Sequence, residues 1–318
     1  MIQTDKLLAV IEQAKSNLGL PDSFPGLYDP IRYTLSAGGK RLRPLLCLAT
    51  CQACGVDAEE AVNQAWGLEM FHNFTLLHDD VMDNAEVRRG RPTVHKKWNE
   101  ATAILSGDTM LTLATQLIAR CPEDKLAEML ALFNSTAIKI YEGQQMDMDF
   151  ESRLDVTESE YLEMIRLKTA VLLSCAVEFG AIMGHAAPNT RQALSRWAEN
   201  TGIAFQLQDD YLDTFGNVET FGKIPGGDIL NDKKTWLLIT ALHEAPEAMN
   251  AILGSEPDQS KIDAVKAIYT ALNLPARLRE LMERYATVAA GALAEANIPQ
   301  AAKDWFTDLS ASLLVREF

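Results

Sequence analysis

Six aspartates in two matching runs are the residues of this chain best suited to chemistry. DDVMD supplies Asp79, Asp80 and Asp83, and DDYLD supplies Asp209, Asp210 and Asp213, each with i, i+1, i+4 spacing. On a helix, i and i+4 lie one turn apart on one face, so Asp79 with Asp83, and Asp209 with Asp213, offer carboxylates about 6 Å apart. A single DDxxD in an acidic protein is most simply a solvated helix face. Two copies embedded in apolar sequence, FTLLHDDVM and IAFQLQDDYL, read differently, because carboxylates carried into a core need cations to offset their repulsion. Mg²⁺ meets that need by combining a few carboxylates with phosphate oxygens and water. The pattern therefore predicts a diphosphate held through Mg²⁺ by two acidic helices facing one cavity. Calcium storage is the alternative, but an EF-hand loop with its central Gly and terminal Glu is missing.

Basic residues gather beside these runs. GGKRLRP places Lys40, Arg41 and Arg43 after a double Gly and before Pro44, a loop leading into a helix. Loop N–H groups, a helix N-terminus and cationic side chains together make an anion site. Arg88, Arg89 and Arg91 follow the first acidic run. Alone they would be surface charge; five residues past DDVMD they suit phosphate binding. Lys168 in RLKTA, Lys223 in FGKIPGGD, and Lys233 and Lys234 in NDKKTW complete the set, the last two groups across a Gly-rich stretch suited to closing over a ligand.

The whole chain is otherwise acidic. Lysines and arginines number 29 against 44 acidic residues, so the formal charge is 29 − 44 = −15. Nucleic acid and anionic membrane surfaces are repelled by such a chain, and a polyanionic substrate needs metal ions and a local basic cluster. Apolar residues at 47% and charged residues at 23% are the balance of a globular protein. The five cysteines are an odd count in a long chain, which argues against a disulfide framework and for a reducing compartment. Cys51 and Cys54 form a CxxC, but with Cys47 they fall at helical spacing beside Leu46 and Leu48, so a buried helix face is expected rather than a metal site. MIQTDKLLAVIEQAK lacks the basic start, apolar stretch and cleavage site of a signal peptide. No run of about 18 apolar residues free of charge occurs, so no membrane insertion is expected and the protein reads as cytoplasmic.

The elements that must carry these side chains are helices. Leu45, Leu48, Ala49, Ala61, Trp66, Met70 and Phe74 recur at helical spacing, and strand-like alternation is scarce. Gly, Pro, Asn and Asp concentrate at 19–25, 38–39, 54–57, 121–123, 185–189, 222–227 and 254–258, which predicts roughly ten or more helices joined by short loops. None of these breaks is long or biased enough to be a domain linker, so a single all-α domain over 1–318 is expected. LLHDDVMD and QLQDDYLD echo one another too far apart for a short-period repeat.

These motifs together resemble the trans-polyprenyl diphosphate synthases, which include farnesyl and geranylgeranyl diphosphate synthases; the likeness runs from about Gly38 to Trp236. It implies the isoprenoid synthase type I fold, a bundle of helices around a central cavity. It also implies Mg²⁺, three ions, held directly by Asp79, Asp83 and Asp209, with Asp80, Asp210 and Asp213 in support. Arg88, Lys168, Lys223 and Lys233 match the family's contacts to the allylic diphosphate. Lys40, Arg43, His72 and Arg89 match those to isopentenyl diphosphate. Gln206 and the Lys168–Thr169 peptide stand where the family steadies the allylic cation, so Lys168, Thr169, Gln206 and Lys223 carry the catalytic roles. Gln144 and Asp147 resemble its supporting GQxxD motif. His72 alone would be a core histidine; its place seven residues before Asp79 raises it. A homodimer is implied by the resemblance alone.

The implied reaction ionises the allylic C–O bond, after which the isopentenyl double bond attacks C1 and the released diphosphate takes the proton. Phe74 and Phe71 lie five and eight residues before Asp79, roughly 7.5 and 12 Å deeper at about 1.5 Å per residue. In the family an aromatic at the fifth position limits products to C15 or C20. Thr75 is small where animal and fungal farnesyl synthases carry a second aromatic, and the first motif lacks the two-residue insertion of bacterial farnesyl synthases. Both departures favour C20. A class I terpene cyclase and a non-catalytic prenyl synthase subunit are the alternatives. Arg316, near the carboxy terminus, reads as a surface end that could instead reach the diphosphate.

Overall fold

The computed structural model describes residues 2–216 and 226–314 and is built of helices, as expected from the spacing. Lys223 and Arg316 lie outside the described residues. The chain divides into two compact units, one formed by the residues up to Asn134 with Cys175–Arg191, the other by Ser135–Ser174 with the residues from Gln192 onward.

In the first unit, α1 (Thr4–Lys15), α2 (Pro25–Ser36), α3 (Leu42–Ala53), α4 (Val62–Met82) and α6 (Glu100–Ile118) surround a core containing Ile11, Ile31, Leu48, Trp66 and Phe71. The one-turn helix α5 (Val94–Lys97) precedes α6. Apolar residues lie on nearly every side of α4, which suits a helix packed on several faces. Its acidic end is therefore carried by one of the most enclosed helices of the unit. Asn99 caps α6 by accepting from the Thr102 amide at 2.8 Å. A short antiparallel hairpin, β1 (Val87–Arg88) with β2 (Arg91–Pro92), follows α4 and was not signalled by any alternation.

α7 (Glu123–Glu151), α9 (Val171–Met183) and α10 (Pro188–Phe215) each run through a boundary between the units. In the second unit, α8 (Glu158–Ile165) begins with a reciprocal capping box between Thr157 and Glu160. Between α8 and α9 the backbone forms one π-helical stretch, Arg166–Ala170, the kind of local widening that concentrates at functional sites. The core of this unit includes Leu207, Leu212, Leu237, Tyr269, Leu274 and Leu278.

The expected breaks at 19–25, 38–39, 54–57, 121–123, 185–189 and 254–258 all fall at or between helix ends; most of 222–227 lies outside the described residues. All five cysteines are free, and Cys47 and Cys51 are buried on α3, as the helical spacing required. Among the described residues no helix is long and apolar enough to cross a membrane.

Candidate active site

In the first unit the basic loop and the first acidic motif meet around α4. Asp79 is partly exposed, and Asp83 is the exposed C-cap residue, its amide donating to the Asp79 carbonyl at 2.8 Å. The one-turn separation expected for these two holds. Asp80 points elsewhere: it is 5% exposed and accepts from Arg88 Nε at 2.7 Å. Burial raises its pKa, and Arg88 partly offsets that.

The Gly38–Gly39 turn brings the loop against the hairpin. Arg89 donates to the Gly38 carbonyl, and a side chain on Gly39 would sit 3.2 Å from the Arg89 guanidinium. Lys40 is exposed. Arg43 has a buried Nε with no protein partner among the described residues, and burial, with Arg89 nearby and Glu69 opposing, pulls its pKa down to about 10. His72 is pushed well below the usual histidine value, first by burial and then by Arg43, Arg89, Arg88 and Arg41, so the ring is neutral at pH 7. Arg41 corrects the expectation of a third anion-binding cation in this loop. Its guanidinium turns inward to Glu69 at 2.6 Å, Glu12 at 3.1 Å and the Leu35 carbonyl at 2.9 Å. Glu69 also accepts from Asn73 Nδ2 at 3.0 Å. A pocket lies along this side of α4, lined by Tyr33, Asn73, Asp80, Arg88 and Arg89 among others.

One turn and more before Asp79, Phe74 and Phe71 are both buried. Their rings are 5.6 Å apart, Phe71 meets Phe133 edge-on at 5.1 Å, and Phe74 meets His78 at 4.7 Å. Edge-on aromatic pairs such as the last two contribute about 0.5–1.5 kcal/mol each beyond their burial.

In the second unit a chain of hydrogen bonds links the π-helical stretch to the second acidic motif. Lys168 Nζ donates to Asp147 at 2.6 Å. Thr169 Oγ1 donates to Gln206 Oε1 at 3.2 Å, Gln206 Nε2 donates to Asp210 Oδ1 at 3.2 Å, and the Tyr161 hydroxyl donates to Asp210 Oδ2. The π stretch is pressed against α7: a side chain on Gly143 would lie 2.5 Å from the Lys168 amide nitrogen. Gln144, on the same helix, has a buried Oε1 without a partner among the described residues.

Burial drives the Asp210 carboxyl up to about 7, against the pull of Lys233. Burial lowers the Lys233 ammonium, but Asp210, Asp228 and Asp147 more than offset this and its pKa is raised. Asp209 is partly exposed, while Asp213 Oδ2 accepts from the Asp228 amide at 2.8 Å. Asp147, Tyr161, Lys168, Thr169, Gln206, Asp210 and Lys233 line one pocket.

The structure thus brings together Arg43, His72, Arg88 and Arg89 in the first unit, and Asp147, Lys168, Thr169, Gln206, Asp210 and Lys233 in the second. Glu69, Tyr161 and Asp228 were not found from the sequence. Glu69 and Tyr161 had no local pattern to mark them, whereas Asp228 stands directly after the Gly226–Gly227 pair, a signal that could have found it.

An all-helical chain whose two acidic motifs each lie beside lysine or arginine defines an isoprenoid synthase type I fold fitted for diphosphate chemistry. Residues 25–272 match the family model described as polyprenyl synthetase. A short chain isoprenyl diphosphate synthase of Methanothermobacter thermautotrophicus is 42% identical over 239 residues, covering 74% of this chain and 74% of that protein. A solved geranylgeranyl pyrophosphate synthase superposes with a TM-score of 0.95 at 40% identity, covering 100% of both chains. A polyprenyl synthase from Caulobacter crescentus, complexed with calcium and isoprenyl diphosphate, gives a TM-score of 0.86 at 27% identity, covering 99% of this chain and 98% of that one. The chain belongs to the polyprenyl synthetase family. It is a prenyltransferase that joins isopentenyl diphosphate to an allylic diphosphate, which sets aside the terpene cyclase and the non-catalytic subunit.

Proposed function

We propose that this enzyme stops chain growth at C20, releasing geranylgeranyl diphosphate rather than the C15 farnesyl product. The observation that carries this reading is the packing of Phe74 and Phe71 on α4, five and eight residues before Asp79, with Phe71 braced by Phe133 of α7 and Phe74 by His78. A growing tail that descends beside α4 meets a ring braced by other rings, while Thr75 leaves the preceding position small. The likeness to a geranylgeranyl pyrophosphate synthase over the whole chain supports the same length.

Asp79, Asp83 and Asp209 are hard oxygen donors that fit Mg²⁺, whereas Asp80 and Asp210 are committed to Arg88 and to Tyr161 with Gln206, which suits supporting roles. Asp213, held by the Asp228 amide, supports likewise. When bound, Mg²⁺, three ions by family resemblance, stabilises the charge of the departing diphosphate. Arg88, Lys168 and Lys233 hold the allylic diphosphate, joined by Lys223. Lys40, Arg43 and Arg89 hold the diphosphate of isopentenyl diphosphate, and neutral His72 adds a hydrogen bond without repelling their charge. Gln206 and Thr169, already fixed to one another, aim their dipoles at the developing allylic cation.

We further propose one cooperative domain, since the chain crosses between the units inside α7, α9 and α10. A homodimer is supported by exposed apolar side chains, Ile104 and Leu105 on α6 and Ile138, Tyr141 and Met148 on α7. A cytoplasmic setting accords with the free cysteines and the acidic charge.

Incubation of the purified protein with labelled isopentenyl diphosphate and C5, C10 or C15 allylic starters, followed by mass spectrometry, tests the function. A C20 end product from every starter, formed with Mg²⁺ and lost in excess EDTA, is expected. A C15 or C25 end product overturns the assigned length, and full turnover in EDTA overturns the metal roles.

A further inference from the structure

Near the second acidic motif a buried lysine pairs with a partly exposed aspartate, and the pair touches none of the motif's aspartates. Lys261, in the helix Gln259–Ala271, has a side chain 2% exposed and reaches Asp232 Oδ1 at 2.8 Å and the Leu230 carbonyl at 3.3 Å. Asp232 Oδ2 in turn accepts from the Gly254 amide at 3.1 Å. A lysine this deeply buried is rare unless its charge is answered, and here one carboxylate answers it. Asp232 itself holds a left-handed φ of 49°, a conformation that a non-glycine residue keeps only where surroundings enforce it.

The turn closed by this pair carries both residues that bear on the motif from this side. Lys233 N donates to the Asp228 carbonyl at 3.0 Å, and Lys233 Nζ lies 3.5 Å from Asp228 Oδ1. Asp228 N donates to Asp213 Oδ2 at 2.8 Å, and Lys233 lines the pocket of Lys168 and Asp210. The helix bearing Lys261 presses close, since a side chain on Gly226 would lie 2.6 Å from Ile262 Cδ1.

We propose that Lys261 and Asp232 are positioning residues for prenyl transfer: their ion pair sets the turn that presents Lys233 to the allylic diphosphate and Asp228 to Asp213. The inference rests on the role given to Lys233 above. A buried lysine at this place is otherwise a poor choice for stability, because an apolar residue of similar volume would serve a purely structural end as well or better.

Steady-state kinetics of Lys261→Met, Asp232→Asn, the double variant and Lys261→Arg, with Lys233→Ala as reference, test it. Lys261→Met raises KM for the allylic diphosphate by about ten-fold, the lower end for outer partners of a metal site, and leaves KM for isopentenyl diphosphate unchanged. The double variant recovers thermal stability, because no uncompensated charge remains, yet keeps the allylic KM defect; Lys261→Arg restores both. An unchanged allylic KM in folded Asp232→Asn or in the double variant overturns the proposal, as does an equal rise in both KM values or recovery of KM together with stability. If Lys233→Ala itself leaves the allylic KM unchanged, the fault lies in the role of Lys233 instead, which separates the two readings.

Discussion

Replacing Glu69 by Ala tests how the basic loop is held. The Glu69 and Arg41 side chains are each 4% exposed and meet at 2.6 Å, so truncation leaves a guanidinium enclosed without its nearest counter-charge. Breaking a buried pair by removing one partner costs about 3–5 kcal/mol. The low end applies, because Arg41 keeps the half-exposed Glu12 at 3.1 Å and the Leu35 carbonyl at 2.9 Å, and Asn73 Nδ2 keeps the backbone carbonyl of residue 69 at 2.7 Å. A loss of about 3 kcal/mol is therefore expected, more than a hundredfold in the folding equilibrium at about 1.4 kcal/mol per factor of ten. Urea unfolding followed by far-ultraviolet circular dichroism measures it at constant slope, and Glu69→Ala combined with Arg41→Met should regain most of the loss. A loss below about 1 kcal/mol, the range of exposed pairs, would refute the reasoning.

Phe74→Ala opens the aromatic group and should lengthen the product by at least one isoprene unit while costing about 3–5 kcal/mol of stability; unchanged chain length by mass spectrometry would remove Phe74 from the floor. Gly143→Ala must push the Lys168 backbone, since the added carbon would come within 2.5 Å of its nitrogen, and kcat should fall about a hundredfold. Unaltered kcat would show that the π stretch tolerates displacement. His72 has a folded-state pKa well below 6.5, so its contribution is present above pH 6.5 and is lost as pH falls below 6.5 towards the folded value, where the unfolded chain takes up a proton that the folded ring refuses. His72→Gln should flatten that part of the stability–pH curve, and identical slopes for the two proteins would contradict it.

Much of this was legible in the sequence, for a physical reason. Asp79 with Asp83, Arg88 with Arg89, and the Gly38–Gly39 loop are local patterns that spacing singles out and that the family resemblance supplied with roles. Helical periodicity likewise gave the fold class and most of the breaks. What stayed hidden depends on partners distant along the chain. Arg41 looked like its neighbours in the loop until Glu69, on another helix, claimed it. Tyr161 had no reason to stand out until its hydroxyl met Asp210. The hairpin Val87–Arg88 with Arg91–Pro92 is too short for alternation to register. Lys234, grouped with Lys233 by adjacency, is buried and donates to the Asp232 carbonyl at 3.2 Å, so of two consecutive lysines only one lines the pocket.

The π-helical stretch at Arg166–Ala170 amounts to one surplus residue in an otherwise regular rod. Such a surplus shifts the angular phase of everything on one side of it by about a hundred degrees, since 3.6 residues make a turn. Removing a single residue there would give a smoother helix with better backbone geometry, and would rotate Lys168 and Thr169 away from Asp147 and Gln206. The irregularity is therefore bound up with the Lys168–Asp147 and Thr169–Gln206 contacts, which a regular helix would not hold in the same phase.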